Sequence, residues 1–272
     1  MKTVVFCNQK GGVGKTTSAV NIAAFFGKMG HKTLLIDMDP QGNAGSGLGI
    51  NKYRVEKSIY HALIGETPLA DIIKKTDYEN LWVAPSNRDL IGAEIELIQV
   101  FARENKLKNA LNSVQNDFDF CFVDCPPSLN LLTVNALTAA SDVIIPVQTE
   151  YYALEGISEL VHTIDLVKAN LNAKLNVFGI FLTMYDSRNN LANQVVEEVR
   201  SYFKEKVFQT IIPRNVKLSE SPSHGEPIFA YDSRSRGSET YHELAKEIAA
   251  RFEGTAKGSL RLIPQVESVS NG

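Results

Sequence analysis

Cysteine, tryptophan, long apolar runs and an excess of one charge are all scarce in this sequence. Its three cysteines, none in a CxxC pair or at metal-ligand spacing, exclude a disulfide-stapled scaffold and a thiolate metal centre. Its apolar stretches fall short of the length of a membrane span. A net charge of −3 gives no sign of an evenly basic nucleic-acid binder, so any basic surface must be local.

What remains is the composition of an ordinary globular protein. Hydrophobic residues make up 44% of the 272 residues and charged residues 22%, which suits one large α/β domain or two small ones. The chain opens directly on a strand pattern without a signal peptide, and this predicts a cytoplasmic protein. The cysteines are predicted to be buried or nearly buried thiols.

A glycine-rich segment between an apolar run and a helical pattern is the most informative feature. A loop of this kind turns several backbone N–H groups toward one point at the positive end of a helix dipole, which suits a polyphosphate. Glycine is needed there because a side chain would block close approach. The segment comprises Gln9, Lys10, Gly11, Gly12, Val13, Gly14, Lys15, Thr16 and Thr17.

This segment departs from the general P-loop pattern at one position. That pattern places a glycine where the sequence has Gln9, ahead of Gly14. The segment instead fits a variant in which a second lysine, Lys10, precedes two glycines. Lys15 is predicted to reach the β- and γ-phosphates and the Thr16 hydroxyl to bind Mg²⁺, so the sequence predicts a nucleotide-binding protein.

Strand and helix patterns alternate along almost the whole chain. Unbroken apolar strands separated by helices predict an α/β fold, with a twisted, mostly parallel sheet covered by helices on both faces, in a single domain over residues 1–253. Residues 38–57 are predicted to form a loop and residues 254–272 a flexible tail. Predicted strands cover 3–8, 32–37, 80–84, 118–124, 142–147, 176–183 and 207–212, and predicted helices 16–29, 92–114, 129–140, 152–171, 191–203 and 237–252.

Carboxylates follow two of the predicted strands. Asp37 and Asp39 are spaced so that their side chains point differently, and one can support the Mg²⁺ shell while the other faces the γ-phosphate and orients water. Hydrogen bonds within a turn are the alternative role for this pair. Asp124 ends a hydrophobic strand in the manner of a Walker B carboxylate, which holds the metal directly or through water.

These segments together resemble a known family. Residues 10–17, 37–43 and 124–128 are similar to those of the ParA/Soj chromosome-partitioning ATPases, in the deviant Walker A group that also holds MinD and the nitrogenase iron protein. Residues 146–156, 182–186 and 212–220 extend the resemblance to about residues 1–253. It implies a P-loop NTPase fold, an ATPase that uses ATP and Mg²⁺, and a homodimer that sandwiches ATP.

The resemblance also implies roles for individual residues. Lys10 matches the signature lysine that reaches the phosphates of the partner subunit, a cation supplied in trans. Asp39 matches the carboxylate that positions or activates the attacking water. Phosphate and metal positions of the same subunit are matched by Lys15, Thr16, Asp37 and Asp124. The regions that flank the adenine are matched by Met184, Pro213, Arg214 and Asn215.

Local charge bears on DNA binding. Residues 200–236 hold seven basic and four acidic residues in an otherwise acidic chain, a balance that an ordinary solvated surface also shows. The resemblance favours DNA, because Arg188 and Lys217 align with arginines that bind DNA in Soj-type proteins. Lysine at 217 keeps a phosphate contact but loses the bidentate fork of arginine. Contacts to phosphate from these two residues, Arg234 and Arg236 are expected to be sequence-independent and salt-sensitive.

The leading hypothesis is a nucleoid-associated ATPase for DNA segregation. Its ATP-bound homodimer holds non-specific double-stranded DNA, a ParB/Spo0J-type centromere-binding partner stimulates hydrolysis, and the ADP form lets go. The short N-terminus favours the type without an autorepressor domain.

Two other functions are weighed against it. A MinD-like membrane-cycling ATPase needs a basic amphipathic C-terminal helix, which Pro264 interrupts, and a protein-cargo positioning ATPase is not separable by sequence. An iron–sulfur role would need two cysteines at the dimer axis, an arrangement that Cys121 and Cys125 do not offer.

Overall fold

Seven strands form one sheet. The computed structural model describes the backbone of residues 1–260 and side chains through residue 254. The strands are β1 (Lys2–Phe6), β2 (Thr33–Asp37), β3 (Lys74–Lys75), β4 (Leu81–Ala84), β5 (Phe120–Asp124), β6 (Asp142–Gln148) and β7 (Asn176–Thr183). Their order is β3-β4-β2-β5-β1-β6-β7, and every pairing is parallel except that of the edge strand β3 with β4. The predicted, mostly parallel sheet is confirmed.

Helices cover both faces of this sheet, as predicted. They are α1 (Lys15–Lys28), α2 (Asn43–Ser46), α3 (Ile59–Ile64), α4 (Leu90–Glu96), α5 (Lys106–Asn112), α6 (Leu131–Ala139), α7 (Ala153–Asn170), α8 (Asn190–Phe203), α9 (Val216–His224), α10 (Ile228–Tyr231) and α11 (Arg236–Leu260). Short 3₁₀ turns cover Lys52–Arg54, Leu69–Asp71, Leu97–Gln99, Arg103–Asn105 and Lys204–Lys206.

Alternating side chains of the strands divide the core into two layers. Val5 of β1 and Cys7, the residue after it, pack with α3 to α8, whereas Val4 and Phe6 pack with α1 and α11 on the opposite face. All three cysteines are fully buried free thiols, as predicted. Both faces are therefore covered, which is why these strands read as continuous apolar runs in the sequence.

The sheet topology brings the site segments to one edge. β1 lies between β5 and β6, and β2 lies on the other side of β5, with Asp37 in register with Asp124. The loops after β1, β2 and β5 all leave from carboxyl ends of parallel strands, where open α/β sheets bind their ligands. Among the described residues, no helix has the length and apolar character needed to cross a membrane.

The predicted helix over 92–114 is wrong. The structure has α4, two 3₁₀ turns and α5 in its place, with Ala102 at a left-handed φ of 52° between the turns. Asn135 of α6 explains the break, because its side chain donates to the Arg103 carbonyl (2.9 Å) and accepts the Leu107 N–H (3.2 Å). A contact from a distant helix thus overrides the local helix propensity.

The predicted strand over 207–212 is also wrong. Phe208 N–H donates to the Ile180 carbonyl (2.8 Å), but the N–H groups of Gln209 and Thr210 turn to the Glu247 carboxylate of α11. Only isolated bridges to β7 and to the residues after it remain, so residues 207–212 form no ladder with a described strand. The predicted loop over 38–57 contains α2 and the turn Lys52–Arg54, and α11 continues past the predicted end at 252 to Leu260. Residues 261–272 of the predicted tail lie outside the described residues.

Candidate active site

The glycine-rich loop after β1 opens into the N-terminus of α1. Gly12 and Gly14 have φ of 75° and 89°, left-handed values that L side chains rarely adopt, and Gly14 is the N-cap of α1. No side chain among the described residues caps this helix end, so the first N–H groups of α1 receive no side-chain hydrogen bond there. The loop therefore presents backbone donors and the positive end of the helix dipole to the same space.

Neighbouring strands hold this loop in place. Asn8 donates from Nδ2 to the Pro146 carbonyl (2.7 Å), and its Oδ1 accepts the Lys10 N–H (2.9 Å). On the other side, the Thr183 hydroxyl donates to the Val13 carbonyl (2.9 Å). Contacts from β6 and β7 thus hold the loop in this conformation.

Lys15 lies inside the curve of the loop. The residue is buried, and its Nζ donates to the Lys10 carbonyl at 2.9 Å. Burial lowers the pKa of Lys15, and the nearby Asp124 carboxylate acts in the opposite direction. The first turn of α1 therefore holds a partly desolvated cation at the position where a phosphate would meet the loop.

Asp124 is a buried carboxylate without a hydrogen-bond partner. Both its oxygens are unsatisfied within the described part of the chain, an unusual state for a group with no solvent access. The Thr16 hydroxyl faces this carboxylate. Burial, reinforced by the charge of Asp37, raises the pKa of Asp124 well above its usual range, whereas Thr16 and then Lys15 lower it. Two free carboxylate oxygens beside a hydroxyl are a donor set that suits Mg²⁺.

Asp37 has a different environment. Its Oδ1 accepts the Asp39 N–H (3.1 Å), and its Oδ2 accepts the N–H groups of Ala44 (2.9 Å) and Gly45 (3.0 Å). Burial raises the pKa of Asp37 to about 7, and these three hydrogen bonds oppose the shift. The carboxylate of Asp37 thus anchors the loop after β2 from inside the domain.

Asp39 points to the glycine-rich loop. It is half-buried and lines a cavity of about 280 Å³ together with residues of the loop and of the segments after β2, β5 and β7. The cavity is lined by Gly11, Gly12, Gly14, Lys15, Thr16, Thr17, Asp39, Asn43, Pro127 and Met184. The structure therefore brings two of the predicted catalytic residues, Lys15 and Asp39, together with most of the predicted phosphate-binding loop, whereas Lys10 is not among the residues that line this cavity.

An adjoining cavity contains the residues predicted to flank the adenine. Its volume is about 250 Å³, and it shares Gly14, Thr17 and Met184 with the first. Met184 has a left-handed φ of 53° directly after β7, which turns the chain toward the segment before α9. Pro213, Arg214 and Asn215 line this cavity beside Leu218 and Tyr241. The two cavities together form an elongated space along the N-terminus of α1.

Lys10 lines neither of these two cavities. Its side chain is about half exposed and forms an ion pair with Glu150, which also accepts a hydrogen bond from Gln148. Tyr151 and Tyr152, the next two residues, are 72% and 69% exposed. A cation, a carboxylate and two aromatic rings therefore lie on an open surface beside the glycine-rich loop.

The predicted DNA-binding residues lie in three places. Arg188 and Arg236 line one groove of about 620 Å³, and Arg214 lies on the wall of the same groove. Arg188 pairs with Asp186 (2.7 Å), which lowers the pKa of Asp186 to about 2. Lys217 instead pairs with Glu220 on α9 (2.8 Å), and Arg234 is exposed in the link before α11.

Several residues at or beside these cavities carry no motif that would have predicted a role for them. Glu150 follows β6, and its position after a buried strand was the available signal. Asn43 and Thr183 reach the cavities through local turns that no periodicity reveals. Tyr241 bonds the Ser18 hydroxyl (2.8 Å) across 223 residues of sequence, a contact that leaves no local pattern.

Comparison with known proteins agrees with this geometry. A family model described as an AAA domain matches residues 1–177. Sporulation initiation inhibitor protein Soj of Bacillus subtilis is 56% identical over 249 residues, 92% of this chain and 98% of that protein. Chromosome partitioning protein ParA of Myxococcus xanthus is 54% identical over 250 residues, 92% of this chain and 88% of that protein.

A solved structure gives the same result at the level of the fold. Cobyrinic acid a,c-diamide synthase of Mycobacterium smegmatis, solved with ADP and magnesium, superposes with a TM-score of 0.83. The two sequences are 34% identical, and the match covers 94% of this chain and 96% of the other. On the strength of these relatives and of the two-lysine loop, the chain belongs to the ParA/Soj-type ATPases.

Proposed function

We propose that this protein is an ATP-driven switch for DNA segregation. ATP and Mg²⁺ bind between the glycine-rich loop and Asp124, two subunits close around the nucleotide, and the dimer binds non-specific DNA. Hydrolysis, stimulated by a ParB/Spo0J-type partner, returns the ADP form and releases the DNA. The names of the relatives, Soj and chromosome partitioning protein ParA, support this function for a chain that matches them over 92% of its length.

One observation carries the proposal. Asp124 keeps two oxygens without a hydrogen-bond partner among the described residues, in a fully buried position beside Thr16 and Lys15, and a bound cation would offset the cost of charging it there. When bound, Mg²⁺ neutralises phosphate charge in this space. Thr16 and Asp124 would hold it, and Asp37, whose oxygens are both occupied by N–H donors, would support the metal shell from behind.

The residues of this chain supply the remaining chemistry. The loop N–H groups and Lys15 bind and orient the phosphates, and the Asp39 carboxylate at the cavity wall orients the water that attacks the γ-phosphate. Lys10 points outward, so the phosphates it can best reach are those held by a second subunit. As a cation supplied in trans, it would act as an arginine finger does.

Exposed rings beside Lys10 support a dimer at this surface. Tyr151 and Tyr152 present aromatic area directly after Glu150, the residue that pairs with Lys10 in the single subunit. Aromatic side chains are enriched in protein interfaces, where they bury much area at low entropic cost. Closure of the dimer would exchange the Lys10–Glu150 pair for contacts with the partner's nucleotide.

The groove between Arg188 and Arg236 supports DNA binding by phosphate contacts. Arg188 and Arg236 are largely exposed, and each is paired with a carboxylate, Asp186 and Glu239 respectively. Exposed pairs are weak, so a phosphate can replace the carboxylate at little cost. A dimer doubles the number of such contacts, which links ATP binding to DNA retention through avidity.

Retention on DNA with different nucleotides tests the proposal. Wild-type protein is expected to bind a random-sequence duplex with Mg·ATP and to be released with ADP or without nucleotide, in fluorescence anisotropy across a salt series. Lys15→Ala should abolish the ATP-dependent part, whereas Lys168→Ala, an exposed lysine of α7, should behave as wild type. Lys10→Ala should keep ATP binding but lose the dimer in analytical ultracentrifugation.

Three results would contradict the proposal. These are retention unchanged in Lys15→Ala, a wild-type protein that stays monomeric with Mg²⁺ and a non-hydrolysable ATP analogue, and DNA binding that ignores the nucleotide. Sedimentation with anionic liposomes and Mg·ATP separates the membrane-cycling alternative, since co-sedimentation without DNA retention would favour it.

A further inference from the structure

The loop that carries Asp39 is held from two sides. From inside the domain, Asp37 accepts the N–H groups described above. From the solvent side, the Lys52 Nζ donates to the Gln41 carbonyl (2.7 Å) and to the Asn43 Oδ1 (3.1 Å). Residues 39–43, here called the Asp39 loop, are thereby enclosed between a buried carboxylate and a half-buried lysine.

The stem of Lys52 also packs on this loop. A Cβ at Gly42, which has a left-handed φ of 65°, would lie 2.8 Å from the Ser86 carbonyl oxygen and 3.3 Å from Cβ and Cδ of Lys52. The loop thus fills the gap between Lys52 and the segment after β4 completely. The backbone under Lys52 is itself fixed, because the Asn51 Oδ1 accepts the Tyr53 N–H (3.1 Å) and caps the turn.

Asp39 is bonded directly to the residues that Lys52 restrains. Its Oδ1 accepts the Gln41 N–H (2.9 Å), and its own carbonyl accepts the Gly42 N–H (2.9 Å). Asn43, the second acceptor of Lys52, lines the same cavity as Asp39 and Thr16. A shift of the loop at Gln41 or Asn43 therefore changes the direction of the Asp39 carboxylate.

We propose that Lys52 is a positioning residue, which sets the direction of the Asp39 carboxylate through the Asp39 loop. The inference rests on the proposed function, because it assumes that Asp39 orients the attacking water. Lys52 lines a separate cavity of about 290 Å³ with Pro40 and Gln41, outside the one that Lys15 lines. Lys52 therefore acts on turnover through the loop, from outside the cavity that Lys15 lines.

The expected signature is a loss of turnover without a loss of affinity. Lys52→Ala removes two hydrogen bonds that a charged group donates, and it also removes the methylene groups of Lys52 that pack beside Gly42. We expect kcat for ATP hydrolysis to fall about tenfold, and Kd for a fluorescent non-hydrolysable ATP analogue to change less than about twofold. Amide hydrogen exchange should accelerate at residues 41–43 only. Lys52→Arg, which keeps a cationic donor of similar reach, should recover most of kcat.

Lys57→Ala is the matched control. Lys57 is an exposed lysine in the same connection, without a side-chain hydrogen bond or ion pair among the described residues, so this variant should match wild type in every readout. Equal kcat in Lys52→Ala and Lys57→Ala would overturn the positioning role, as would a parallel loss of kcat and affinity. A wild-type protein without ATPase activity, unchanged by Asp39→Ala, would instead overturn the proposed function, and the inference with it.

Discussion

Asparagine at position 124 is expected to stabilise the nucleotide-free protein and to remove its stabilisation by Mg·ATP. Asp124 has no hydrogen bond to lose among the described residues, and it lies in register with the second buried carboxylate, Asp37. An isosteric amide cannot ionise, so it avoids both a buried charge and the repulsion between two ionised carboxylates. The same change removes one of the oxygens that would bind the metal.

The size of both effects can be worked from this geometry. An unsatisfied buried polar group costs about 1–3 kcal/mol, and a charged one costs more, so Asp124→Asn should add about 2 kcal/mol to the free energy of unfolding. For a chain of this length that raises Tm by about 4–8 °C. Mg·ATP at about 100 times its Kd should stabilise the wild type by about 2.7 kcal/mol and the variant by less than about 1 kcal/mol.

The pH dependence follows from the direction of the pKa shifts. The pKa of Asp37 is raised from its ordinary 3.8 to about 7, and that of Asp124 is raised well above 3.8. The folded protein therefore binds protons more tightly than the unfolded chain. The stability that the pair contributes is fully present below about pH 4 and is lost as the pH rises through about 7. Asp124→Asn should flatten this loss in the nucleotide-free protein.

Differential scanning fluorimetry from pH 5 to 8, with and without Mg·ATP, measures all three effects. Asp142→Asn is the control, because Asp142 is also buried but is satisfied by Ser141 (2.8 Å), Asn176 (3.2 Å) and Lys2 (3.4 Å). That variant should lose stability and keep its response to nucleotide. The reasoning is refuted if both asparagine variants lower Tm alike, or if Asp124→Asn keeps the full Mg·ATP shift.

Three further changes test packing and DNA contacts away from Asp124. Tyr241→Phe leaves the buried Ser18 hydroxyl without its 2.8 Å partner and should cost about 1–2 kcal/mol in urea unfolding, with unchanged m. Gly179→Ala places a Cβ 2.4 Å from the Phe208 ring and should cost about 1–3 kcal/mol in the same assay, whereas Gly156→Ala, with open space around its Cβ, should not destabilise. Arg236→Ala removes one exposed cation per subunit and should reduce the salt slope of DNA binding by about 1.8 per dimer; an unchanged slope would place Arg236 outside the contact.

The sheet was predictable from sequence because its signal is local and repeated. Each apolar run followed by a helical pattern identifies one β–α unit, and parallel packing on both faces follows from the lack of alternation. The two elements that were predicted wrongly lie where a side chain distant in sequence forms hydrogen bonds with backbone groups. Asn135 binds the chain at Arg103 and Leu107, and Glu247 takes the N–H groups of Gln209 and Thr210. No window of neighbouring residues contains that information.

The two carboxylates at the end of β2 show that contacts from distant residues also decide which side chain faces the candidate site. Asp37 and Asp39 face different groups because β2 ends at Asp37 and the chain turns before Asp39, whereas residues two apart within one continuing strand would share a face. Which one faces the nucleotide depends on where Ala44 and Gly45 place their N–H groups, and these surround Asp37. Once Asp37 is occupied, Asp39 is the carboxylate free to face the cavity, and its direction depends on the loop that Lys52 closes from outside. A motif names the atoms that can do chemistry, but their direction is set by backbone donors and side chains that the motif does not contain.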